Sequence, residues 1–193
     1  MNLAQLKHFY VVDTETTGFS RSNADAIEVS ALEVIQKNGK FQVVNEFDSY
    51  INPQYPLPPN IVEFNEKNGT GICDEFLADK PLAGIVAQDL YDFLGDNPIL
   101  VGHNLPFDEK FIDKLYRENL GIPLETSESV DTLAICRAKM NNASNKLCDV
   151  HAKTKGSHSA EHPQFHNSLA DCYATLDVLE HLKEKYYDKG YER

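Results

Sequence analysis

The chain has 193 residues, 41% hydrophobic and 25% charged, enough to bury a core without disulfide or metal staples and sized for one domain or two small ones. Its 30 acidic against 18 basic residues give a formal charge of −12, which argues against non-specific electrostatic binding to DNA, RNA or anionic lipid, though carboxylates that hold divalent metals still attract phosphates. No apolar run reaches the roughly 18 residues of a membrane span, the N-terminal segment lacks the marks of a signal peptide, and Cys73, Cys136, Cys148 and Cys172 lie too far apart to read as a disulfide framework. A cytoplasmic protein with one domain over residues 1–193 is expected, its core at about 8–186.

His8 to Val12 is aromatic and β-branched and predicts a buried strand. Residues 25–35 and 41–51 partly alternate, and Asn38-Gly39 between them is a hairpin signal, so both predict antiparallel strands. Pro53, Pro56, Pro58 and Pro59 punctuate the chain before a short helix from Asn60 and a longer one over 81–94, with Ile85, Leu90 and Phe93 as its inner face. Ile99 to Gly102 predicts another buried strand. A helix follows with Phe107, Phe111, Ile112 and Leu115 inward, Lys110, Lys114 and Arg117 outward and Gly121 as its stop. Residues 129–140 read as a short strand into a helix, and the polar 141–165 as a loop with some helix. The strongest helix is 167–186, with Leu169, Cys172, Tyr173, Leu176, Leu179 and Leu182 on one stripe. Antiparallel strands followed by alternating helix and strand predict an α/β fold, a mixed sheet flanked by helices.

Asp13 and Glu15 fall just past the first strand and share a face if the strand continues through them. Two hard oxygen ligands there suit Mg²⁺ or Mn²⁺. The D-x-E spacing alone carries no information, since chance supplies about one in a chain this acidic; its weight comes from the strand end, where α/β sheets place ligands. Asp108 follows the Ile99–Gly102 strand in the first turn of a helix that Pro106 helps start. Taken alone it reads first as an acid that stabilises a helix N-terminus, and only second as a ligand. Asp171 borders the apolar stripe of the last helix, where a carboxylate needs a charge partner and a metal is one candidate. His166 sits at the loop-to-helix junction, either a surface histidine or an imidazole placed to deprotonate a water. Four acids and one titrating base are the set that two-metal phosphodiester hydrolysis requires.

These segments resemble the DEDD, or DnaQ-like, 3′–5′ exonuclease superfamily in its histidine-containing branch, the group of the DNA polymerase III epsilon subunit, ribonuclease T and oligoribonuclease. Val12 to Gly18 is similar to the first family motif, Gly102 to Phe111 to the second, and His166 with Asp171, backed by Ala174 and Thr175, to the third. Weaker echoes lie at Ile27 to Ala31, at Pro58 to Ile61 and at Val130 to Leu133. The resemblance implies a ribonuclease-H-like fold with a five-stranded mixed sheet. It implies that Asp13 bridges two divalent ions, that Glu15 and Asp171 complete the tighter site, that Asp108 holds a metal-bound water and that His166 is the general base. The implied reaction releases 5′-mononucleotides from the 3′ end of single-stranded nucleic acid, DNA favoured. Thr16 and Thr17 would receive the 3′-terminal nucleotide, Ile61 and Phe64 would wedge against its base, and Asn104 is a further expected substrate contact. The family's compact element after the short helix is altered here, over Asn65 to Ile72. Implied partners are nucleic-acid 3′ ends, a DNA polymerase or other replication protein, and a second copy of the chain. A free-standing nuclease is expected over a proofreading subunit, because little sequence flanks the motifs.

Within the same family, RNA trimming or oligoribonucleotide hydrolysis is the competing reading, because a 2′-OH is read by pocket details. A non-catalytic accessory module is the reading outside it, disfavoured because all five positions are filled. Cys148, His151, His158 and His162 form a C-x2-H-x6-H-x3-H set that matches no common zinc finger. The basic excess at Arg137, Lys139, Lys146, Lys153 and Lys155 reads either as a solvated loop or as a guide for a single strand.

Overall fold

The computed structural model describes residues 2–154, 158 and 166–187. Five strands form one mixed sheet in the order β3-β2-β1-β4-β5: β1 (His8–Thr16), β2 (Ala26–Lys37), β3 (Lys40–Tyr50), β4 (Ile99–Gly102) and β5 (Glu128–Asp131). β1 pairs antiparallel with β2 and parallel with β4, so the sheet changes sense at β1. β2 runs antiparallel to β3 and β4 parallel to β5. The β2–β3 connection is the expected hairpin, with Asn38 at φ 53° and Gly39 at φ 79°. Two consecutive left-handed residues give a two-residue turn whose twist matches that of the strands.

The helices are α1 (Pro59–Asn68), α2 (Asp74–Leu77), α3 (Ala83–Leu94), α4 (Leu105–Asn119), α5 (Thr132–Lys139), α6 (Leu147–His151) and α7 (Ser168–Tyr186). Both faces of the sheet are covered, which explains why β1 is apolar at consecutive positions. Phe9 and Val11 join Leu32, Val34 and Val101 beneath Cys172, Leu176 and Leu179 of α7. On the opposite face Tyr10, Val12 and Leu100 pack against Val86 and Leu90 of α3 and Ile112 and Leu115 of α4. A smaller cluster of Ile27, Leu57, Ile72 and Leu77 seats α1 and α2 beside the end of β2. Each large side chain so buried contributes about 1.5–3 kcal/mol. Among the described residues no helix is long and apolar enough to cross a membrane.

Three local expectations are corrected. The inner face of α3 is Val86, Ala87, Leu90 and Leu94, while Ile85 is 55% exposed; the i, i+4, i+8 row sets the helix phase and leaves Ile85 on the other side. Phe107 leaves the core row of α4 for a cavity described below. Lys110 and Lys114 are not simply solvent-facing. Lys110 Nζ donates to the Phe19 carbonyl at 3.0 Å, and Lys114 Nζ donates to the Ala24 carbonyl at 2.9 Å and to Asp25 at 2.6 Å. They pin the loop after β1 onto α4.

Candidate active site

β1 does continue through Asp13 and Glu15, so the period of two puts both on the α7 side with Phe9 and Val11. Thr14, between them, turns the other way and meets α4. Its backbone N–H and its hydroxyl both donate to Asp108 Oδ1, at 3.1 and 2.8 Å. Asp108 lies in the first turn of α4, where the helix dipole favours a carboxylate. Asn104, in the left-handed region at φ 74°, immediately precedes that helix without a side-chain capping bond, and its backbone N–H donates to Asp131 at 2.8 Å. The Asp131 carboxylate also accepts the Leu133 N–H at 3.0 Å, capping α5.

The start of α7 supplies the rest. Asn167 is its cap, its Oδ1 accepting the Ala170 N–H at 3.1 Å. His166, just before the cap, has φ 66°, and its backbone N–H donates to the Asp171 carboxylate one turn on. Glu15, His166 and Asp171 each offer a ligand atom, all within 4.8 Å of one another; among the described residues they are the one such group of three.

The electrostatics are those of acids gathered without a counter-charge. Burial first, then repulsion from Asp171, Glu28 and Asp108, pushes Glu15 up to about 8. Burial likewise pushes Asp108 and Asp171 each up to about 7. Asp13 is raised well above the carboxylate range by burial and by Asp108, Asp171, Glu15 and Glu28 around it. Asp171 Oδ1 is buried with no hydrogen-bond partner among the described residues. A hard divalent cation is the group that an unpartnered carboxylate oxygen among mutually repelling acids fits. Burial holds the His166 imidazole below its ordinary range, so the ring is neutral near pH 7 and able to accept a proton.

Beside the acids lies a cavity of about 350 Å³, bounded by Thr14, Glu15, Thr16, Gly18, Phe19, Ile27, Asn60, Ile61, Phe64, Asn65 and Phe107. It is lined mainly by apolar groups, with Phe19 82% and Phe64 40% exposed at its rim. The Phe64 ring meets the His166 ring edge-on at 5.2 Å. Of the expected substrate contacts, Thr16, Ile61 and Phe64 line this cavity. Thr17 is buried beside it, its hydroxyl accepting the Asp25 N–H at 2.9 Å and its backbone N–H donating to the Asp25 carbonyl at 2.8 Å. Asn104 is not among the lining residues.

Sequence reasoning misses Phe19, Phe107 and Asn65 in this cavity, because they come from a loop and two helices that only the tertiary fold unites. It also passes over Glu28, whose signal is an acid within the buried first half of a strand. The His-rich segment does not gather a metal site among the described residues. His151 Nε2 meets Asp177 at 3.1 Å and His158 Nε2 meets Glu180 at 2.8 Å. Cys148 is exposed, and His162 and Lys155 lie outside the described residues. Arg137, Lys139, Lys146 and Lys153 are all exposed on α5, α6 and their flanks. The loop before α6 is fastened to the active-site end of β4 where the Asn145 carbonyl meets His103 Nε2 at 2.8 Å.

Comparison with known proteins matches the RNase_T exonuclease family over residues 10–179. The chain is 32% identical over 177 residues to the DNA polymerase III subunit epsilon of Rickettsia felis, covering 89% of this chain and 72% of that protein. It is 31% identical over 192 residues to the PolC-type DNA polymerase III of Bacillus subtilis, covering 97% of this chain but only 12% of the polymerase. Among solved structures, the zinc-ion-bound E. coli ExoI–ssDNA complex superposes with a TM-score of 0.72 at 19% identity, over 94% of this chain and 41% of that one. Exonuclease X in complex with 5′ overhanging duplex DNA superposes at 0.62 and 19% identity, over 92% of each chain. Both share the mixed sheet and its flanking helices.

Proposed function

The chain belongs to the RNase_T exonuclease family, the DnaQ-like 3′–5′ exonucleases, and from that premise we propose that it is one exonuclease domain that removes 5′-mononucleotides from the 3′ end of single-stranded DNA. The observation that carries this reading is the convergence of Asp13, Glu15, Asp108, Asp171 and His166 at the end of β1, beside a cavity of about 350 Å³. DNA is favoured over RNA because the Rickettsia and Bacillus relatives are DNA polymerase III proteins.

Asp13, Glu15 and Asp171 would hold two divalent ions, Mg²⁺ or Mn²⁺, with Asp108 completing the set. Bound there, the ions supply the positive charge that acidifies the attacking water and steadies the leaving 3′ oxygen. The protein's own groups do the remainder. His166, neutral and at the rim, takes the proton from the attacking water. Thr14 fixes the rotamer of Asp108 through two hydrogen bonds. Phe19, Phe64, Phe107 and Ile61 exclude water from the terminal nucleotide and offer flat surfaces to its base, which every base can use.

The test compares 3′-labelled and 5′-labelled single-stranded DNA and RNA of equal length, with Mg²⁺, with Mn²⁺ and with EDTA, alongside Asp13→Ala and His166→Ala. Metal-dependent loss of the 3′ label, abolished in both variants and faster on DNA, is expected. A faster RNA reaction overturns the substrate assignment, and no cleavage of either polymer by folded, metal-supplied protein overturns the reading.

A further inference from the structure

Glu28 is fully buried in β2, close to the acids, yet it is not among the three residues that offer converging ligand atoms. We propose that Glu28 is a positioning residue for His166, acting through Asn167; the proposal rests on the reading of His166 as the general base. The register sets Glu28, the third residue of β2, opposite Glu15 of β1 on one side and Tyr50, the last residue of β3, on the other. Its Oε1 accepts a 2.6 Å hydrogen bond from Asn167 Nδ2, and the Ser168 backbone N–H and the Ser168 and Tyr50 hydroxyls also donate to the carboxylate. The other end of the Asn167 carboxamide accepts the Ala170 N–H at 3.1 Å. One side chain therefore joins the sheet to the first turn of α7, and it belongs to the residue directly after His166.

His166 needs such a tether. At φ 66° it sits in the left-handed region, where a residue with a Cβ stays only when its surroundings hold it there. Stability does not explain a carboxylate at position 28. A buried acid among other acids is costly even when it is hydrogen-bonded, and an apolar side chain would pack more favourably. What Glu28 supplies is an acceptor on a strand paired on both sides, bonded to the residue that follows the imidazole.

The full chain, with Mn²⁺ present, is assayed on 3′-labelled single-stranded DNA as Glu28→Ala, Glu28→Gln, Asn167→Ser and the Glu28→Ala/Asn167→Ser pair, with His166→Ala as reference. Serine caps a helix as asparagine does but has no amide to donate to Glu28, so Asn167→Ser separates positioning from capping and decides the matter if Glu28→Ala does not fold. Expected are kcat losses of about tenfold or more in Glu28→Ala and Asn167→Ser with little change in KM. The double variant should be no worse than the weaker single one. Glu28→Gln, which still offers an oxygen to Asn167, should recover most of the loss, and Mn²⁺ affinity by calorimetry should not move. Wild-type kcat in Asn167→Ser and Glu28→Ala, with His166→Ala inactive, overturns the positioning role and leaves the base assignment standing. Weakened Mn²⁺ binding in Glu28→Gln identifies a metal ligand and overturns it as well. An active His166→Ala removes both readings together.

Discussion

Thr14 gives two hydrogen bonds to one oxygen of Asp108, from its backbone N–H and from its hydroxyl, across 94 positions of sequence. The pair locks the helix-borne carboxylate to the strand that carries Asp13 and Glu15, so the separation of the acids is set by main chain as well as side chain. Thr14→Val removes only the hydroxyl bond. About 1 kcal/mol of stability should be lost and kcat should fall about tenfold through a looser Asp108, with Thr14→Ser recovering most of both. Thermal melts and steady-state rates check this, and a valine variant equal to wild type in both would show that the backbone bond alone suffices.

The gathered acids make the metal-free protein sensitive to pH. Glu15 is pushed up to about 8 and Asp108 and Asp171 to about 7, against roughly 4 for such groups in an unfolded chain. Between those values the folded state holds more protons than the unfolded one, so stability falls as pH rises through that window. In EDTA the melting temperature should be lower near pH 8 than near pH 5.5. Added Mn²⁺, which binds the ionised folded site, should raise it most at the higher pH, and Asp13→Asn should blunt that rise. A melting temperature that Mn²⁺ leaves unchanged near pH 8 would contradict the assignment of these acids as ligands.

Phe19 is 82% exposed beside the cavity, held in place through its carbonyl by Lys110. Its removal costs the fold little, within about 0.5 kcal/mol, whereas a lost stacking surface is worth about 1–3 kcal/mol per base. Phe19→Ala should melt like wild type and show a KM for single-stranded DNA raised about tenfold. An unchanged KM would place the terminal base elsewhere.

Lys146 and Lys153 test whether the α5–α6 surface attracts the strand upstream of the cut. The pair Lys146→Glu and Lys153→Glu should weaken binding of long single strands and leave dinucleotide hydrolysis untouched. The dependence of log KM on log salt should grow shallower by about 0.7 for each phosphate no longer neutralised. Equal effects on long and short substrates would show that these lysines lie off the path.

The sequence discloses most of the frame because its signals are local. Asn38-Gly39 marks the hairpin, the apolar runs at Phe9 to Val12 and Ile99 to Val101 mark strands covered on both faces, and Asp13, Glu15, Asp108, His166 and Asp171 fall at element ends, where the fold gathers them. What it hides is long-range or a matter of phase. Ile85 looks like core until the Val86–Leu90–Leu94 row fixes the rotation of α3. Lys114 looks like solvent until Asp25, 89 positions away, closes on it. The cavity wall at Phe19, Phe64 and Phe107 exists only once a loop and two helices meet. Glu28 alternates correctly for a strand and so gives no sign of the asparagine that binds it.

The acids lie far apart along the chain: Asp13 and Glu15 on the first strand, Asp108 after the fourth, and Asp171 with His166 at the last helix. During synthesis the early strand leaves the ribosome long before α7 is made, and contacts of such separation form late. The early strand thus carries Asp13 and Glu15 without the carboxylate and imidazole that α7 brings to them. The acid cluster is complete only when α7 docks against β1.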